Sequence, residues 1–345
     1  MTVAGNPPEF FNTAPTDPVP APVPRAPRTA LGQLVSRPST VAALVIVGLY
    51  TLAGFVVALP ALVGGTLPSN VVTHLPLVAR LDQAIDHAIG DPVGDSYQPP
   101  HLGLHPSQWL GTDILGRSVL WRVTYGTRVA LIITVGTSVI SIVLGTLLGV
   151  MSGYFGGWVD ALITWLFTTV NSIPWILLVV AITFALQGYE FANGETFKER
   201  YGDLPAIILA LGLTDWVGLC RLLRGDVFKH RAADYVAAAR AAGAGTPRIL
   251  FRHILPNVRH LIIITFSLSA VGYVQAEVAL TFIGIGISDK PSWGRMITDS
   301  RLEILRGVWW EAAAASIAIF IISWALNVVG DALRDALDPK LRGRN

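Results

Sequence analysis

The chain has 345 residues, of which 52% are hydrophobic and 14% charged, and its mean hydropathy of +0.55 lies well to the apolar side of an ordinary globular protein. A net charge of +2 gives no electrostatic case for binding nucleic acid, and a single cysteine, Cys220, excludes an intrachain disulfide framework or a cysteine metal cluster. An all-α membrane protein is the class that composition leaves.

Residues 1–39 carry prolines at 7, 8, 15, 18, 20, 22, 24, 27 and 38 and little apolar periodicity, which predicts a disordered proline-rich tail. The first apolar run opens only near Val41, too far in for a secretory signal, so it reads as a retained membrane helix. A helix needs about 20 mostly apolar residues to cross roughly 30 Å of hydrocarbon. Six stretches qualify, at 41–63, 129–152, 161–187, 204–221, 260–286 and 309–330. The chain then divides into the tail 1–39, a first membrane helix 40–64, an outer loop 65–127, a membrane core 128–331 with a polar loop at 222–258, and a C-terminus 332–345.

Within these spans a few residues stand out. Gly145, Gly149, Gly153 and Gly157 recur every fourth position of the second span, a ridge without side chains where another helix can approach. Asn171, Ser172 and Pro174 interrupt the third, where proline frees a carbonyl and bends a helix, either as a gate in a path or as a structural kink. The fourth is short and holds Asp215, expected to pair with a nearby arginine; the fifth holds Glu277. Ionisable groups inside a membrane are costly, so Glu277 either faces a polar path or locks packing through a serine or a neighbouring helix.

Orientation follows from lysine and arginine. Arg221, Arg224, Lys229, Arg231, Arg240, Arg248, Arg252 and Arg259 lie between the fourth and fifth spans against only Asp226 and Asp234. That places the loop 222–258 and both termini in the cytoplasm. The long loop with Asp82, Asp86, Asp91, Asp95 and Asp113 then lies outside, where it seats a partner, covers a gate or is simply solvated. Arg117 and Arg122 are expected to anchor an interfacial helix to headgroups or acidic neighbours, and Trp309 and Trp310 to form an outer interfacial belt.

The loop itself looks like a small soluble insert. Ala237, Ala238, Ala239, Ala241 and Ala242 favour a helix with a low surface, Gly243 and Gly245 end it, and Thr246–Pro247 has the pattern of an N-cap followed by proline in a new helix. Pro256 marks membrane entry or a kink. On composition alone this is equally a plain basic loop. The spacing resembles the cytoplasmic signature of binding-protein-dependent ABC importer permeases, Glu-Ala-Ala, three residues, Gly, nine residues, Ile-x-Leu-Pro. Here it reads Ala237-Ala238-Ala239, Gly243 and Leu255-Pro256, with Ala237 in place of Glu and His253 in place of Ile.

Further blocks are similar to the dipeptide, oligopeptide and nickel branch of that family, and most to its C-type dipeptide permeases: GTDILGRSVLWRVTYGTRVAL at 111–131, SGYFGGWVDALITW at 152–165, AEVALTFIGIG at 276–286, PSWG at 291–294 and NVVGDALRDALDPKLR at 327–342. The resemblance implies the type I ABC importer permease fold, six transmembrane helices with a cytoplasmic coupling helix, in the plasma (inner) membrane. It implies that Asp234, Tyr235, Ala237, Ala238, Ala239, Arg240, Gly243, Leu255 and Pro256 couple to an ATPase, while Asn171, Ser172, Pro174 and Glu277 are weaker candidates for the translocation path. Implied partners are a homologous second permease, two cytoplasmic ATPase subunits that use ATP and Mg, an extracytoplasmic substrate-binding protein and membrane lipid.

The expected role is non-catalytic, with no cofactor or metal in this chain. None of its four lysines follows a glycine, so no P-loop exists here and energy must come from a partner. The histidines lack metal-ligand spacing, and neither H-E-x-x-H nor G-x-S-x-G occurs to support an intramembrane enzyme. Dipeptides or oligopeptides are the expected cargo, with nickel, haem, glutathione or another small ligand as alternatives; an ATPase-independent secondary transporter leaves the coupling signature unexplained.

Overall fold

The structure, a computed structural model, describes residues 37–66, 85, 98–100, 108–288 and 290–337. The tail up to residue 36, most of the long loop including Asp82, Asp86, Asp91 and Asp95, and residues 338–345 lie outside the described residues. The described elements are α1 (Pro38–Thr66), α2 (Val119–Phe155), α3 (Gly157–Asn171), α4 (Trp175–Gln187), α5 (Phe197–Tyr201), α6 (Asp203–Arg231), α7 (Asp234–Ala241), α8 (Thr246–Ile283), α9 (Trp293–Glu303) and α10 (Trp310–Leu337). Five of them, α1, α2, α6, α8 and α10, are each long and apolar enough to cross a membrane, and α3 with α4 passes only as a pair bent by 91°.

The bend is sharper than a proline kink. Pro174 has no N–H to donate and its ring drives Ile173 out of helical geometry, so α3 closes with Ser172 N donating to Thr168 O and Thr169 O, and Pro174 O accepts from Leu177 N and Leu178 N to begin α4. The third span is thus two helices at a right angle, not the single bent helix expected.

Packing centres on α2 against α6, the most extensive helix pairing. An ideal Cβ on Gly145, Gly149 or Gly153 would lie 2.9, 2.7 or 2.6 Å from the carbonyl oxygen of Trp216, Cys220 or Arg224. Three turns of α2 therefore rest on the backbone of α6 because no side chain intervenes. Gly157 does not extend this ridge, since it opens α3 with φ +54° and nothing near its missing side chain. The fourth span is not as short as its apolar stretch suggests: α6 has 29 residues and is the most buried of the membrane-length helices among the described residues. Asp215 also has no arginine partner among the described residues; Tyr273 Oη donates to its Oδ2 at 2.5 Å and Ser141 Oγ at 3.3 Å.

Polar staples fix both ends of the bundle. At the end where α6 runs into the basic loop, Asp160 at the start of α3 accepts from Arg224 Nε at 2.5 Å and Nη2 at 2.7 Å and from Ser152 Oγ of α2. At the distal end Asp203 accepts from Gln187 Nε2, Ser288 N and Ser288 Oγ and pairs with Lys198. These contacts put the start of α3 at the basic end and the end of α4 at the distal end. The broken pair therefore runs the length of the bundle like the other spans.

A second distal staple is built around a buried arginine. Arg122, 2% exposed, donates to Asp113 at 2.6 Å, Glu311 at 2.7 Å and Asp299 at 3.2 Å, joining the segment before α2 to α9 and α10. Its neighbours are acidic residues, one of the two outcomes expected for it. Removing one partner from a buried pair leaves an uncompensated charge, at a cost of about 3–5 kcal/mol. Trp310 belongs to this assembly and not to an interfacial belt: it is buried and its Nε1 donates to Thr112 O at 2.8 Å, while Trp309 is 61% exposed.

Substituting Gly149→Val should open the α2–α6 seam and cost about 1–3 kcal/mol, read as a lower thermal midpoint of the detergent-solubilised protein. Gly48→Ala in α1, where an added Cβ meets nothing within 4 Å, should leave that midpoint unchanged or slightly raised.

Candidate functional site

The basic loop folds into a compact unit at one end of the bundle. After α6 ends in Lys229, His230 and Arg231, one extended residue, Ala233, turns the chain into α7. Asp234 in the first turn of α7 and Arg240 in the last complement the helix dipole. Only Val236 of this helix is buried; it packs with Tyr154, Leu219, Leu223, Val227, Ile249, Ile254 and Val258 from α2, α6 and α8. Asp234, Tyr235, Ala237, Ala238 and Arg240 stay exposed and Ala239 half-buried. A helix held by one side chain thus offers a low alanine face outward.

Gly243 explains how the helix stops. Its φ is +81°, its N–H donates to Arg240 O at 3.0 Å, and Ala244 N donates to Ala239 O at 3.0 Å. This pair of bonds is a Schellman closure, which requires a left-handed residue at the position glycine fills. Open space surrounds the missing side chain, so backbone conformation alone demands glycine here. Tyr235 fastens the unit from the other side, with its Oη 2.8 Å from His230 Nδ1 and 3.4 Å from Asn257 Nδ2.

The following helix begins one residue earlier than the sequence pattern predicts. Gly245 occupies the capping position and Thr246 is already helical with no side-chain cap, although Pro247 sits in the first turn as expected. Ile249–Ile254 is π-helical and leads directly into Leu255 and Pro256. Widening the turn there accommodates a proline that lacks an N–H and whose ring crowds the carbonyl four residues before it. Leu255 packs on the buried cluster beneath α7, and Pro256 is exposed. The nine residues assigned to coupling are therefore one contiguous unit spanning α7, its cap and the root of α8.

Two residues of this surface escaped sequence reasoning. Phe251 is 71% exposed on the π-helical segment, and Phe228 is 65% exposed near the end of α6. No motif marks them; the signal is only an aromatic residue standing where helical periodicity turns it away from the core.

The residues proposed for a path do not form one site. Asn171, Ser172 and Pro174 are exposed at the right-angle break between α3 and α4. Glu277 is buried near the distal end of α8, where its Oε1 accepts from Thr281 Oγ1 at 2.9 Å and Ser292 Oγ at 2.7 Å. Ser292 Oγ also accepts from Arg295 N at 3.1 Å and so caps α9. Trp293 then wedges against Gly126 and donates to Val123 O at 2.9 Å, and Gly294 lets α9 lie on α8. The PSWG block and Glu277 together dock α9 onto α2 and α8.

Comparison with known proteins agrees with this geometry. Residues 145–343 match the family model described as binding-protein-dependent transport system inner membrane component. The chain is 37% identical over 251 residues to the dipeptide transport system permease protein DppC of Bacillus subtilis, covering 72% of this chain and 74% of that one. It is 34% identical to the oligopeptide transport system permease protein OppC of the same organism, over 77% of this chain and 80% of the relative. Against the glutathione transport system permease protein GsiD of Pectobacterium atrosepticum the identity is 33%, over 71% and 77%. With the family's membrane helices in place and its loop signature folded as one capped unit, the chain belongs to the binding-protein-dependent transport system inner membrane components.

Proposed function

We propose that this chain is the membrane-spanning permease subunit of an ATP-driven importer of dipeptides or oligopeptides, one half of a translocation path completed by a homologous permease. The observation that carries this reading is the capped α7 unit, an alanine-faced helix whose only buried side chain is Val236 and which the short turn 242–245 joins to the membrane span α8. Such a helix fills a groove on a separate ATPase subunit, and its displacement moves the root of α8. The basic residues of the loop support a cytoplasmic placement by the positive-inside rule, and the contact of Arg37 with Asp335, which brings the start of α1 beside the end of α10, is consistent with both lying on one side. Peptides are the cargo because the relatives named above carry dipeptide, oligopeptide and glutathione transport in their names, and glutathione is itself a small peptide. An extracytoplasmic binding protein delivers them, and two ATPase subunits drive the cycle.

Coupling of this kind works by differential contact. The ATPase dimer must bind α7 more tightly in one global state than in the other, or its closure shifts nothing. The test is uptake of a labelled dipeptide mixture into proteoliposomes holding this chain, the second permease, the ATPases and a loaded binding protein. Uptake should require ATP; peptide accumulation that persists without the ATPase subunits would contradict the reading.

Gly243→Val in the same system should strain the cap of α7 by about 1–2 kcal/mol and lower coupled uptake by about 5–30-fold with the chain still inserted. Gly243→Asn should retain most uptake, because asparagine tolerates the left-handed conformation. Normal uptake by the valine variant would count against α7 as the transmission element.

A further inference from the structure

Among the described residues, Asp215 is the one carboxyl group in the middle of the bundle whose arrangement the helix packing does not explain. It lies 12 residues into α6, about 18 Å from the distal end of that helix. Its Oδ2 accepts from two hydroxyls, Tyr273 Oη of α8 at 2.5 Å and Ser141 Oγ of α2 at 3.3 Å, and Ser269 of α8 lies within hydrogen-bonding reach. Among the described residues it forms no ion pair, whereas Asp113, Asp160, Asp203 and Glu311 each have a basic partner.

Asp215 is also not sealed in. It is half-buried, and the surface beside it is open: an ideal Cβ on Gly218, one turn further along α6, or on Gly272 of α8 would meet nothing within 4 Å. Gln275, three residues beyond Gly272, is exposed as well. A carboxyl group and a carboxamide at this depth are unsuited to a face against lipid tails, where polar side chains go without partners. They suit a face that water and a polar ligand reach.

We propose that Asp215 supplies the counter-charge for the α-ammonium group of a peptide in transit, at a subsite bounded by Ser269, Gly218 and Gly272. The inference rests on the peptide-importer reading and adds where this chain touches its cargo. The hydroxyls of Tyr273 and Ser141 orient the carboxylate, with Ser269 beside them, but leave its charge unmatched, and the two glycines leave room for a peptide backbone to approach. A neutral amide would serve equally well if the group only clamped α2, α6 and α8 together. Charge therefore separates a ligand role from a packing role.

The test uses the complete reconstituted transporter with labelled dialanine on its binding protein, and reads both stimulated ATP hydrolysis and peptide delivered per ATP. Asp215→Asn should keep stimulation within about twofold and lower peptide per ATP about tenfold, the scale of one charge-assisted hydrogen bond; Asp215→Glu should recover part of the loss. Unchanged delivery by Asp215→Asn, or hydrolysis and delivery falling together, would overturn the subsite. Absence of ATP-dependent dialanine uptake by the unsubstituted complex would instead remove the peptide reading, and the subsite with it. Should Asp215→Asn fail to assemble, Gly272→Cys in a Cys220→Ser background decides: rapid modification by a charged thiosulfonate is expected, and an unreactive thiol would overturn the proposal.

Discussion

Gly145, Gly149 and Gly153 carry no side chains where α2 meets α6, so the two helices touch backbone to backbone along three turns. In hydrocarbon no hydrophobic force draws helices together; close packing and interhelical hydrogen bonds must do it. That single seam sets the position of nearly everything else. It brings Ser152 and Tyr154 of α2 to the lower end of α6, where Arg224 can hold Asp160 and Val236 can find its pocket. It also brings Ser141 within reach of Asp215.

The staples at the two ends then decide what can move. The distal end is tied by Arg122 with three acidic residues and by Asp203 with four donors on three other residues, and the Glu277–Ser292 bond docks α9 there as well. Buried charges held this way strongly resist separation, since breaking one pair exposes the other to a medium that cannot solvate it. The basic end is built differently. There α7 has one buried side chain, a Schellman cap and the Tyr235 hydroxyl, and its continuation into α8 passes through a π-helical stretch. A lightly anchored helix joined to a long rigid one has the mechanics of a lever, because force on the short arm reaches the span without unfolding the core.

Much of this was legible in the residues. Apolar length gave the spans, the four-residue glycine spacing gave three positions of the seam, and the alanine run with Gly243 gave α7 and its stop. What the sequence concealed was mostly a matter of partners. Asp215 suggested an arginine, yet two hydroxyls from other helices reach it first; Trp310 read as an interfacial anchor, yet it turns inward to the Thr112 carbonyl. Pro174 marked a bend but not its size, since a right angle depends on how α3 and α4 are fastened at opposite ends of the bundle. Phe251 and Phe228 belong to no motif, because exposure is a property of the folded surface.

The central claim is that the outward face of α7 meets an ATPase subunit, and crosslinking tests it most directly. With Cys220→Ser as background, Ala238→Cys is exposed on that face and needs no rearrangement to react. In the assembled transporter a short bifunctional thiol reagent should join position 238 to a cysteine-bearing ATPase subunit, with a yield that changes when ATP is bound. Absence of any crosslink from α7, with crosslinks forming instead from another face of the chain, would contradict the account.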